Sequence, residues 1–135
     1  MRKLTQEELE QEFNKIIALY ENDINLDRED LKILIESSFD KIYYYARLKI
    51  KIDTNNSNEA VLAIKELKNL NNHKMCIIHF SIHPDCSLHV LGNIIEIISD
   101  TADEEVEMIY GTTSDKNYPL DYVEVKIYAA WLEVT

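Results

Sequence analysis

Apolar residues recur along the chain with two different periods, and the switches between them divide it into elements. Leu9, Phe13, Ile16, Ile17 and Tyr20 are spaced for one face of a helix, with Glu7, Glu10, Gln11, Asn14 and Lys15 opposite. Thr5 and Glu8 form a capping box at its start, where each side chain satisfies an amide that the first turn leaves unpaired. Asn22 and Asp23 are expected to end this helix. Asp27 and Asp30 suit the start of a second, short helix running through Ile35, because carboxylates there accept from free amides and complement the helix dipole. Ser37-Ser38 should close it.

From Phe39 the period becomes two. Tyr44, Ala46, Leu48, Ile50 and Ile52 share one face and Tyr45, Arg47, Lys49 and Lys51 the other, which predicts a long, half-exposed strand. After a turn over 54–57, Asn56 and Glu59 cap a third helix whose Ala60, Val61, Ile64 and Leu67 form a buried stripe. The nearly continuous apolar run 75–82 reads as a central strand covered on both faces. Asp85 or Ser87 caps a fourth helix that turns Leu88, Leu91, Ile94, Ile95 and Ile98 to the core. Residues 105–111 are extended, and 122–134 alternate, with Val123, Val125, Ile127, Ala129 and Trp131 on one side. The resulting order predicts two strand-helix-strand units and a closing hairpin in one mixed α/β sheet.

The 135 residues, 46% apolar and 29% charged, are enough for one domain with its own core. Residues 1–26 are expected to hold the first helix and the start of an acidic loop, and 27–135 the α/β body. A net charge of -11 repels phosphate backbones and anionic bilayers, so neither nucleic acid nor membrane is expected as a partner. The apolar stretches fall short of the roughly 18 residues that span a bilayer. Two cysteines, Cys76 and Cys86, and a start without an apolar signal core suggest the reducing cytoplasm. The chain stops close to its last strand, so no flexible C-terminal tail is expected.

Three strings, in this order, resemble the C-terminal half of the bacterial tubulin FtsZ. Asn25-Leu26-Asp27-Arg28-Glu29-Asp30 looks like that family's Asn-x-Asp-x-x-Asp loop after its long central helix. Pro84-Asp85-Cys86-Ser87-Leu88, with a helix ending Glu96-Ile97-Ile98-Ser99, is similar to the family's segment after a central strand. Ile109-Tyr110-Gly111-Thr112, Asp115 and Val123-Glu124-Val125-Lys126-Ile127-Tyr128-Ala129 resemble its closing strands. The strings span about residues 5 to 132.

The resemblance implies a four-stranded mixed sheet flanked by helices, the C-terminal domain of the tubulin superfamily, without the GTP-binding domain. The N-terminal helix then corresponds to the end of the helix that joins the two FtsZ domains. In FtsZ filaments the acidic loop enters the neighbour's nucleotide pocket, where its carboxylates help orient the water that attacks the γ-phosphate. That role falls here on Asn25, Asp27 and Asp30. The plainer reading, compatible with it, is that Asp27 caps a helix and Asp30 sits in its first turn. Only half a site is present: Gly92 and Gly111 stand alone, without a run that cradles phosphates. GTP binding by this chain alone, autonomous catalysis and a cofactor are therefore not expected. Two features depart from the family: Arg28-Glu29 replaces an aromatic and a small residue, and 39–47 replaces a glycine-rich stretch.

Cys76, His79, His83, Cys86 and His89 are zinc-ligand types close in sequence, yet Cys76 and His79 fall on opposite strand faces and no Cys-x-x-Cys pair is present. No metal site is expected, and Cys76 reads as a small buried hydrophobe. A lone thiol near imidazoles and Asp85 does not make a nucleophilic set. Of Tyr43, Tyr44 and Tyr45, one is expected to pack inward and two to cover a partner or a helix. The expected function is a non-catalytic protein-interaction module of a bacterial FtsZ-like cytoskeletal or cell-division system, partnered by an FtsZ-like subunit or by itself. The alternative is a small-ligand- or protein-binding domain that keeps the fold but has left the cytoskeleton.

Overall fold

In the computed structural model, which describes residues 2–17, 22–24, 26, 28–38, 40–51, 73–86, 88–101 and 107–131, the capping box forms as its sequence demands. The Glu8 amide donates to Thr5 Oγ1 at 3.2 Å and the Thr5 amide to Glu8 Oε1 at 3.1 Å, opening α1 (Gln6–Ile17). Before it, Arg2–Thr5 forms a short strand, β1. The chain continues through β2 (Asn22–Ile24), α2 (Arg28–Glu36), β3 (Ile42–Lys51), β4 (His73–Ile82), α3 (Leu88–Thr101), β5 (Glu107–Ser114) and β6 (Tyr122–Trp131). The helix expected over 56–67, with its cap, lies outside the described residues, as does the end of the last strand beyond Trp131. No helix among the described residues is long and apolar enough to cross a membrane.

The strands form one mixed sheet in the order β1-β3-β6-β4-β5-β2. Its inner four, β3-β6-β4-β5, are the expected sheet flanked by helices, and β1 and β2 extend it at its edges to six strands. β4 and β5 run parallel, joined through α3, and the other pairs are antiparallel. The expected closing hairpin is not formed, because β4 lies between β5 and β6. The apolar content of β4 explains this: every side chain from Met75 to Ile82 is buried. An edge of so apolar a strand would invite foreign pairing, and β6 closes it.

The sheet buries both faces. On one, Ile78, Phe80, Val125 and Ile127 pack against Leu91 and Ile94 of α3. On the other, Tyr43, Tyr45, Ile77 and Tyr128 lie among Leu9, Phe13 and Ile16 of α1 and Leu31 and Leu34 of α2. Each large side chain fully buried this way contributes roughly 1.5–3 kcal/mol. Phe13 meets Tyr128 edge-on at 6.0 Å between ring centroids, and Tyr45 meets Tyr128 at 5.2 Å.

This corrects the reading of the tyrosines. Tyr43 and Tyr45 both turn inward, beneath the helices, while Tyr44 is half-buried against the opposite core. The first half of β3 is paired on both edges, by β1 and β6, and packed on both faces, under α1 and α2 on one and against the α3-side core on the other. Tyr43 keeps its hydroxyl satisfied by donating to the Ile35 carbonyl at 2.9 Å.

The glycine-poor segment before β3 turns without glycine. Lys41 adopts φ 59°, and Asp40 Oδ1 accepts from the Ile42 amide at 3.0 Å and from the Ser38 hydroxyl at 3.3 Å. The aspartate thus braces a left-handed residue in the stretch where the FtsZ-like pattern has glycines.

Candidate functional site

The acidic segment is fastened on both flanks. Before it, β2 pairs with β5 through Asn22↔Thr113 and Ile24↔Thr112. Within it, Leu26 is only 3% exposed and joins the core that contains Leu31 and Leu34. Its side chain lies directly over Gly111, where a Cβ would stand 2.8 Å from Leu26 Cδ1. After it, α2 begins at Arg28. Gly111 therefore belongs to the site: its missing side chain is what lets Leu26 dock on β5.

Of the expected loop residues, Asp30 sits half-buried in the first turn of α2, beside exposed Arg28 and Glu29. Its carboxylate is at the positive end of the helix dipole, as the plainer reading requires. Asn25 and Asp27 lie outside the described residues. Next to the start of α2, a hollow of about 350 Å³ between α1 and α2 is lined by Gln6, Glu10, Arg28, Leu31, Lys32, Ile35 and Glu36.

A second polar cluster went unrecognised in the sequence. Glu124 on β6 is 3% exposed and accepts from Arg47 Nη2 of β3 at 2.8 Å, with Lys126 Nζ at 3.7 Å and the Tyr118 hydroxyl as a further donor. Burial pushes its carboxyl upward, but the hydrogen bonds from Arg47 and Tyr118 and the nearby cations outweigh this, holding it below the usual carboxylate range. One strand over, His79 is fully buried, with Nε2 2.7 Å from Thr113 Oγ1 and Nδ1 without a partner among the described residues. Burial first, and Lys126 second, lower its pKa to about 4, so the imidazole is neutral at pH 7. Thr113 is the residue opposite β2, so the cluster ends under the strand that leads to Leu26. The signal was present: in Val-Glu-Val-Lys, period two puts Glu124 and Lys126 on one face, as it does Arg47 and Lys49.

Cys76 lies in the α3-side core and burial pushes its thiol up to about 12, whereas His79 is on the other face. Burial also raises Cys86, and His83 Nδ1 accepts the Asp85 amide at 3.0 Å. Among the described residues, no group of three His, Cys, Asp or Glu side chains is arranged to hold a metal ion.

The sequence matches no protein-family model and no curated protein. Among solved structures, the chain is similar to an empty FtsZ dimer from M. jannaschii, with a TM-score of 0.61 and 18% identity over 81% of this chain and 32% of that one. A point mutant of FtsZ from M. jannaschii gives a TM-score of 0.59 and 17% identity, covering 91% of this chain and 39% of that one. The chain thus spans between 32% and 39% of the length of the FtsZ chains it resembles.

Proposed function

From the premise that this chain has the fold of the FtsZ C-terminal domain, we propose that it is a non-catalytic protein-interaction module of an FtsZ-like system. It presents Asn25, Asp27 and Asp30 to the nucleotide site of a partner subunit. The observation that carries this reading is the fastening of the segment: β2 pairs with β5, Leu26 is seated over Gly111, and α2 follows at once. Flanks fixed before binding reduce the entropy lost on docking. Phosphoryl transfer asks for positioned charge and a positioned water more than for covalent chemistry, and carboxylates on a short anchored segment suit that task.

The nucleotide, its phosphate-binding loop and its metal belong to the partner. Docked on a growing filament end, the segment either completes hydrolysis in the last subunit or occupies the end and stops addition. The alternative, a small-ligand domain, draws less support from the hollow between α1 and α2. That hollow is shallow and open to solvent, whereas small-ligand sites enclose most of the ligand's surface.

Sedimentation velocity with a complete FtsZ, with and without GTP, tests the proposal. A complex that requires nucleotide and dissociates in the Asp27→Ala, Asp30→Ala double variant is expected. Equal binding by the variant would remove the acidic segment from the interface.

A further inference from the structure

β1 covers only part of β3. Among the described residues, its register runs from Thr5↔Ile42 to Arg2↔Tyr45, whereas β6 pairs with β3 from Tyr43 to Lys51. Among the described residues, no strand pairs with the outer edge of 46–51. Side chains alternate along this stretch. Ala46, Leu48 and Ile50 turn into the α3-side core, and Arg47, Lys49 and Lys51 are exposed on the other face.

Three exposed cations in alternation are out of character for a chain of net charge -11. Glu124, opposite Lys49 on β6, is buried and already held by Arg47 and Lys126. Arg47 nevertheless remains 54% exposed, and neither Lys49 nor Lys51 forms an ion pair among the described residues. Lysines on a strand edge deter pairing with like edges. Facing a second copy of this edge, they would set cation against cation, which destabilises an antiparallel pair. An edge of opposite sign meets no such barrier.

We propose that the outer edge of β3 over 46–51 is the docking site for an extended acidic segment of a partner protein. The segment adds as a strand antiparallel to β3, in line with β1, with its C-terminal end beside Arg2. Backbone hydrogen bonds to β3 hold it, and alternate carboxylates facing Arg47, Lys49 and Lys51 select it. This edge is separate from residues 25–30, so its failure and that of the acidic-segment reading are distinguishable.

The test is fluorescence anisotropy of the full chain with a labelled peptide of about six residues, the length of a typical strand, alternating Glu and Val. The controls are a Lys-Val counterpart and a Glu-Val peptide with a central proline, which removes a backbone donor. The Glu-Val peptide should bind and both controls should not. Lys49→Ala with Lys51→Ala should weaken binding about tenfold, the loss expected for two exposed charge contacts, and added salt should do the same. Hydrogen exchange should slow at amides within 46–51. Binding that survives the double variant, equal binding of the proline peptide, protection confined to other strands, or no binding by the Glu-Val peptide would each overturn the proposal.

Discussion

Replacing Gly111 by alanine puts a methyl group where the Leu26 side chain now lies. The added Cβ would stand 2.8 Å from Leu26 Cδ1 and 3.2 Å from Cδ2, inside contact distance, so Leu26 has to move. Gly111 does not adopt positive φ, so the backbone itself tolerates alanine and the close approach alone sets the cost. Overpacking at a core position of this kind costs roughly 1–3 kcal/mol. Leu26→Ala alone leaves a cavity and costs about 2–5 kcal/mol. Combined, the new methyl enters the vacated space, so the double variant should be less destabilised than the sum of the singles by roughly 1–2 kcal/mol. Urea unfolding of the four proteins, followed by far-ultraviolet circular dichroism, reads the cycle directly. Additivity to within about 0.5 kcal/mol would show that Leu26 does not rest on Gly111. Because Leu26 stands between Asn25 and Asp27, Gly111→Ala should also weaken partner binding while leaving the chain folded.

Three further outcomes follow from the buried polar groups and the turn. His79 is held neutral with a pKa of about 4, against roughly 6.5 in an unfolded chain. Between those values the unfolded state takes up a proton and the native state does not. Stability should therefore fall by about 2 kcal/mol from pH 7 to pH 5, a slope that His79→Gln should abolish and that an unchanged slope would contradict. Glu124→Gln removes the charge bound by Arg47 and Lys126. With Arg47 able to relax into water, the cost should be about 1–2 kcal/mol in urea at pH 7, and no loss would mean that the ion pair contributes nothing. Lys41→Gly relieves a left-handed residue at φ 59° and should raise stability by roughly 0.5 kcal/mol, after the entropy of the glycine is set against the relieved strain. A loss would show that the Asp40 brace already offsets it.

Much of the fold was legible because periodicity is a local property. The capping box, the Leu9-Phe13-Ile16 stripe, the apolar run of β4 and the alternation of β6 each declare themselves within a few residues. What was missed depends on partners distant in the chain. β1 carries one buried residue, Leu4, between polar Lys3 and Thr5, too little for a period to show. Asn22 and Asp23 are helix-ending residues by type, and only β5, some 90 residues later, makes them a strand. Alternation in β5 and β6 cannot reveal that β4 separates them. The Arg47-Glu124 contact joins residues 77 apart, so its faces were readable while its pairing was not. At the acidic segment, Asp30 was placed at a helix start by its type and spacing, whereas the role of Gly111 beneath Leu26 depends on the depth of contact between two elements.

The measurement that bears most directly on the proposed role is steady-state GTP turnover by a complete FtsZ, titrated with this chain and with its Asp27→Ala, Asp30→Ala variant. The chain should change turnover, raising it by completing a site or lowering it by blocking an end, and the variant should lose the effect. Turnover unmoved at saturating chain, or moved equally by the variant, would contradict a working acidic segment.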